Sequence, residues 1–141
     1  MNVLTIISLS CFIIVMLIGL LFAGMYLFRK KFMPYHAAAV GKSWSELDLE
    51  IRVLIIALMR VVGGGWLASS VAMGSFLYLL FLKGIELSAL ALCLTGLAVA
   101  IPTLIATLIV RTRTIARPPA GAAILAIVLL LAGMLIYVIP A

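Results

Sequence analysis

Few residues of this chain are of types that do chemistry, and most of them fall in one stretch. Residues 29–66, RKKFMPYHAAAVGKSWSELDLEIRVLIIALMRVVGGGW, hold six of the ten Lys and Arg, three of the four carboxylates, the single histidine and the single glycine triplet. Arg60 is the sharpest of them, eight residues after Arg52 and three before Gly63 in an otherwise apolar frame. An arginine at the centre of a bilayer costs at least ~2.5–3.5 kcal/mol, so it needs a partner or an exit to water. Joined by Arg52, Arg111 and Arg113 it would form a site for an anion, a phosphate or a lipid headgroup. Alone it would snorkel to the membrane surface as an anchor.

His36 has the chemistry of a proton relay, a metal ligand or a haem ligand. One histidine with no second histidine or nearby cysteine is a poor metal set, although a haem shared between two subunits would take one per chain. The plainer expectation is an interfacial histidine without a ligand. Tyr35, Trp44 and Trp66 read first as anchors at headgroup level, with a binding role as the second reading for each of them and lipid, anion or partner contact assigned to Tyr35 and Trp44. Cys11 and Cys93 lie in apolar runs without a CxxC pair, which removes dithiol exchange. Glu86 stands at the end of a span. The first span carries no intramembrane carboxylate of the kind a small multidrug antiporter would show. The spacing supplies no Ser/His/Asp set, phosphate loop or metal cluster. No catalytic residue, metal or cofactor is expected.

The elements that must hold these residues are membrane spans. The chain has 141 residues, of which 67% are apolar and 10% charged, with a mean hydropathy of +1.43. A soluble domain averages about 25% charged residues. A chain this apolar has too little polar surface to cover itself, so lipid is its outer solvent. The net charge of +6 sits beside the spans, which points to anionic headgroups rather than nucleic acid.

Taken in order, residues 3–28 exceed the ~20 needed to cross a bilayer and carry no basic residue before them, so a retained span is expected rather than a secretory signal. Gly19 and Ala23 would let another helix approach closely. Arg29, Lys30 and Lys31 stop the span, and Pro34 breaks any helix continuing past them. Ser43 with Glu46 fits a capping box; the frame shifted by two, Ser45 with Asp48, is the alternative. An amphipathic helix over 44–60 follows, with Trp44, Leu47, Ile51, Leu54, Ile55 and Leu58 on one stripe and Asp48 and Arg52 as an i,i+4 pair. It is expected to lie in the interface or against the cytoplasmic ends of other helices, and to lead into a second span over 61–82. Such a run is too long for a ~30 Å hydrocarbon core, so the helix either projects into the cytoplasm or, the favoured reading, bends or crosses tightly at Gly63, Gly64 and Gly65, with Gly64, Ala68 and Ala72 as a small-residue face. The third span is 87–110, kinked by Pro102, with Thr103 and Thr107 bonding back to the freed carbonyls. The fourth is 120–139, ended by Pro140.

The Lys and Arg count sets the orientation. Six lie in the first connector, three in the third, one in the second, and none in either tail. The positive-inside rule puts the first and third connectors in the cytoplasm and both termini outside.

The segment FMPYHAAAVGKSWSEL followed by LMRVVGGGWLA resembles a pattern found in small bacterial four-helix integral membrane proteins that carry no assigned activity. The resemblance covers roughly residues 32–68 and rests on Tyr35, His36, Gly41, Trp44, Leu47, Arg60, Gly63 and Gly64. It implies a multi-pass protein of the bacterial inner membrane.

The expectation is therefore one all-α transmembrane domain of four spans plus an interfacial helix. Its function is expected to be non-enzymatic: an accessory or scaffold subunit whose basic cytoplasmic face touches anionic lipid or a partner protein. The alternatives are a small oligomeric transporter or channel using Arg60, and a redox or haem protein using His36. Membrane lipids, a second copy or a larger membrane protein are the expected partners.

Overall fold

A computed structural model describes residues 3–139. They form five α-helices: α1 (Val3–Phe28), α2 (Pro34–Val40), α3 (Leu49–Lys83), α4 (Leu87–Arg113) and α5 (Ala120–Val138), with a 3-10 turn at Trp44–Glu46 and, among the described residues, no strand. All but α2 are long and apolar enough to cross a membrane. Pro140, expected to end the last span, lies outside the described residues.

The four long helices form a ring in which α1 packs on α3 and α5, and α4 packs on α3 and α5. Glycines sit at these crossings, where the missing Cβ makes room for a neighbouring helix's atoms. At Gly96 of α4 an added Cβ would lie 2.6 Å from Leu130 of α5. At Gly133 of α5 it would meet Phe12 and Cys11 of α1 at 3.0 and 3.1 Å. At Gly19 of α1 it would strike Ser70 Oγ of α3. Gly19 and Ala23 are both buried. The centre of the ring is filled by Phe12, Leu92 and Leu130, none of which reaches the surface. Ser8, fully buried, donates to the Gly133 carbonyl at 2.8 Å and so ties α1 to α5.

This packed core lies toward the α3–α4 turn, where Met73 and Leu77 join it. The opposite end is organised differently. There a second, small core of Phe32, Leu47 and Met59 fastens the first connector to α1 and to the beginning of α3.

α2 departs from the expectation at Pro34. The proline does not only end what precedes it; it occupies the first helical position, where its missing N–H costs nothing. Gly41 closes the same helix in the left-handed conformation (φ 70°), with its N–H on the Ala37 carbonyl.

The expected separate helix over 44–60 is not seen as an element of its own. Glu46 does reach back to the Ser43 N–H at 2.5 Å, but this box opens only the 3-10 turn. Leu47 and Asp48 are extended (ψ 144° and 151°), and a helix restarts at Leu49 with Asp48 before it. From Leu49 it runs for 35 residues without interruption through Gly63, Gly64 and Gly65. At 1.5 Å per residue that is about 52 Å, far more than the ~30 Å of a hydrocarbon core.

The facing of α3 also differs from a soluble amphipathic helix. Ile51, Leu54 and Leu58 of the apolar stripe are 42%, 58% and 55% exposed, while Met59, on the face nearest Arg52 and Arg60, is 3% exposed. In a bundle whose outer solvent is lipid these three apolar side chains face outward, whereas Leu47 and Ile55 of the same stripe pack on the small core and Arg52 and Arg60 are partly buried.

Candidate functional site

Each arginine and aromatic side chain singled out by type has a definite place. Arg60 leaves α3 toward the end of α1. Its guanidinium donates to the carbonyls of Tyr26 at 3.2 Å and Arg29 at 3.1 Å. These are among the carbonyls that the last turn of a helix leaves unpaired, and a cation there also complements the negative end of the helix dipole. Arg60 is thus the C-terminal cap of α1, supplied from another helix. Three residues on, Gly63 lets the same two helices touch: a Cβ there would lie 2.9 Å from Leu27 Cγ and 3.0 Å from the Leu27 backbone nitrogen. Gly64 and Gly65 would meet nothing within 4 Å, so the close contact uses the register of Gly63 rather than the Gly64, Ala68, Ala72 face.

Arg111 and Arg113 are exposed in the last turn of α4. Arg52 is partly buried, and its Nε is shielded without a hydrogen-bond partner; an Asp48 pairing does not satisfy that atom.

Tyr35 and His36 sit on α2 and face α1. The Tyr35 and Tyr26 hydroxyls share a short hydrogen bond. Burial pushes the Tyr35 phenol far above its ordinary value; the Tyr26 hydroxyl adds to this and the Arg29 charge opposes it. His36 accepts the Met33 N–H on Nδ1 at 3.2 Å. It does for α2 what the glutamate of a capping box does, reaching from the third helical position to the N-terminal N–H. An Nδ1 that accepts leaves the ring proton on Nε2. Burial holds the imidazole below its ordinary pKa. Its ring lies 4.4 Å from the Tyr35 ring and edge-on to it. Arg29 turns back to donate to Met33 Sδ at 2.9 Å, and Trp44 packs edge-on against Phe32 with centroids 5.0 Å apart. Among the described residues no three of His, Cys, Asp and Glu converge. Cys11 and Cys93 are both buried and free, against α5.

Under α2, the ring of helices opens. A cavity of about 590 Å³ lies between α1, α3, α4 and α5, with α2 at its edge. Its wall is apolar over most of its area, built from side chains such as Phe22, Trp66, Val62 and Ala106, and Phe22 stacks on Trp66 at 5.5 Å. Tyr26, Tyr35 and His36 form one polar corner; Thr103 and Thr107 stand on the α4 wall. Thr107 donates to Leu104 at 2.9 Å rather than to the carbonyl of Ala98 that Pro102 leaves without a donor. α4 is a single helix through Pro102.

Sequence reasoning missed three of these features. α2 had a signal, proline at its first position and glycine just past its end. Tyr26 had only its place in the last turn of a span, which reads as an anchor. The cavity had none, since a gap between helices is a property of the crossings.

Comparison with protein-family models, with curated proteins and with solved structures found no match.

Proposed function

We propose that this chain is a non-enzymatic integral membrane protein of the bacterial inner membrane, an accessory or scaffold subunit whose basic end binds anionic lipid headgroups in the cytoplasmic leaflet. The observation that carries the reading is the distribution of charge along the bundle. Nine of the ten Lys and Arg and three of the four acids belong to the end where α1 and α4 finish and α3 and α5 begin, which leaves 9 − 3 = +6 there; the other end holds Lys83 and Glu86 and balances. Seven of those nine bases, Arg29, Lys30, Lys31, Lys42, Arg111, Arg113 and Arg117, are exposed. A basic cluster beside a span adds about 1 kcal/mol of attraction to anionic lipid per residue near the surface, and the positive-inside rule places that end in the cytoplasm.

The first turns of α3 fit an interfacial position in this arrangement. α3 is longer than the hydrocarbon core, and its early residues Leu49, Val53 and Leu54 expose apolar side chains beside Glu50 and the basic connectors. A helix end of that composition rests in the headgroup layer. Arg60, on which an anion path would depend, is engaged with the end of α1, so the scaffold reading is favoured over a channel.

Native mass spectrometry of the protein released from a membrane of known composition tests this. Phosphatidylglycerol and cardiolipin should be enriched on the protein over their share of the membrane. The enrichment should fall about tenfold when Lys30, Lys31, Arg111 and Arg113 are all changed to Gln. Bound lipid that mirrors the bulk composition would overturn the proposal.

A further inference from the structure

We infer that the cavity beside α2 is a binding site for an uncharged membrane amphiphile: an apolar tail between the helices and a head bearing a carbonyl oxygen at the corner formed by Tyr26, Tyr35 and His36. This goes beyond the headgroup contacts of the basic connectors and does not depend on them. Elsewhere the helices pack so closely that an added Cβ would strike a neighbour at Gly19, Gly63, Gly96 or Gly133, so an opening of about 590 Å³ is out of keeping with the packing around it. It lies in the range of sites that enclose small ligands.

The chemistry of the corner selects the head. Two tyrosine hydroxyls joined by one hydrogen bond use one of their two protons on each other, which leaves one to donate outward. His36 spends Nδ1 on the Met33 N–H and keeps a donor at Nε2. Both donors are neutral near pH 7, the phenol because burial disfavours its anion and the imidazole because burial disfavours its cation. Among the described residues no Lys, Arg, Asp or Glu lines the cavity. Arg29, whose charge acts on the Tyr35 phenol, is turned to Met33 Sδ. A wall with donors and no charge matches an acceptor oxygen that carries no charge, and it leaves a phosphate without a counter-ion. Two families of membrane amphiphile carry such a head, glycerides with an ester carbonyl and alkyl quinones.

Trp66 lines the cavity and Trp44 does not; a Trp44→Phe variant makes Trp66 the single reporter. Placed in phosphatidylcholine nanodiscs, this protein is titrated with three quenchers: a dibrominated monoacylglycerol, an alkyl benzoquinone and a dibrominated phosphatidylglycerol. At least one uncharged probe should quench Trp66 saturably, at a mole fraction about tenfold below that needed for the phosphatidylglycerol; which of the two does so identifies the source. Quenching by phosphatidylglycerol at an equal or lower fraction, or no saturation with any probe, would overturn the inference. Two variants test the corner without losing the cap of α2, since Gln and Glu both suit the third position of a capping box. His36→Gln keeps a donor and should bind as the parent does. His36→Glu carries only acceptors and should weaken binding about tenfold or more; unchanged binding by His36→Glu would remove the corner from the site. Ala106→Phe, which puts a ring into the cavity from the α4 wall, should abolish saturable quenching.

Discussion

At the scale of single residues, three polar side chains serve the ends of helices and turns. Arg60 closes α1 from α3, His36 opens α2, and Glu46 opens the turn before α3. For His36 this has a consequence for stability against pH. Its folded pKa lies below the ordinary value of 6.5. Above pH 6.5 the imidazole is neutral whether the protein is folded or unfolded, and its contact with the Met33 N–H is fully present. As pH falls below that, the unfolded chain takes up the proton first, so stability declines, and the decline continues until the folded imidazole is protonated as well. Protonation also removes the acceptor from Nδ1 and sets a positive charge against the positive end of α2. Thermal unfolding followed from pH 7.5 to pH 5 should show a smaller loss of Tm for His36→Gln than for the parent. Equal losses would mean that the imidazole contributes nothing to this pH dependence. Glu46, held below the ordinary carboxylate range by its hydrogen bonds to Ser43, loses its own contribution at lower pH in both proteins and so cancels in the comparison.

At the scale of elements, α1 and α3 are joined at two points one turn apart, the guanidinium of Arg60 on the α1 carbonyls and the bare Cα of Gly63 against Leu27. The glycine triplet separates the two roles a glycine can have. Gly63→Ala puts a methyl 3.0 Å from the backbone nitrogen of Leu27, which cannot rotate aside as a side chain can. Forcing the helices apart should cost about 1–3 kcal/mol and lengthen the Arg60 contacts. Gly64→Ala meets open space and removes a residue that disfavours helix by up to about 1 kcal/mol, so it should be neutral or stabilising. Unfolding in a denaturing detergent titration measures both. A Gly64→Ala variant as damaged as Gly63→Ala would show that the triplet acts through flexibility and not through contact. This is also where the sequence was only partly legible. The four long apolar runs and their charged stops are visible in composition, because lipid demands about 20 apolar residues per crossing. Which of three adjacent glycines meets the neighbour depends on a rotation of 100° per residue, and the wheel has no fixed zero until the partner helix is placed. The outward turn of Ile51, Leu54 and Leu58 has the same origin. An apolar stripe marks the buried side only when water is outside, and here the buried side of α3 is marked by Met59, Arg60 and Gly63.

At the scale of the whole molecule, the bundle is closed at the α3–α4 end and open at the end where the connectors gather. Phe12, Leu92 and Leu130 fill the closed part. The open part holds the cavity, with α2 beside it, and the seven exposed bases belong to the same end of the bundle. None of the cavity was legible in one sequence, since it arises from how far four helices stand apart. The charge asymmetry was fully legible, and it makes the orientation testable. Cysteines introduced at Ala38 in α2 and at Ile115, which is 87% exposed after α4, belong to the basic end; one at Ile85, 47% exposed between α3 and α4, belongs to the other. The native Cys11 and Cys93 are 8% and 5% exposed and should stay unlabelled by a membrane-impermeant maleimide. In intact spheroplasts the reagent should reach position 85 and leave 38 and 115 unmodified; in inverted vesicles the pattern should reverse. Moving nine bases across a membrane against the potential is opposed at about 2.3 kcal/mol per charge per 100 mV, so a mixed population is not expected. Labelling of 38 and 115 from the outside would reverse the molecule and remove the cytoplasmic leaflet as the source of the lipid at its basic end.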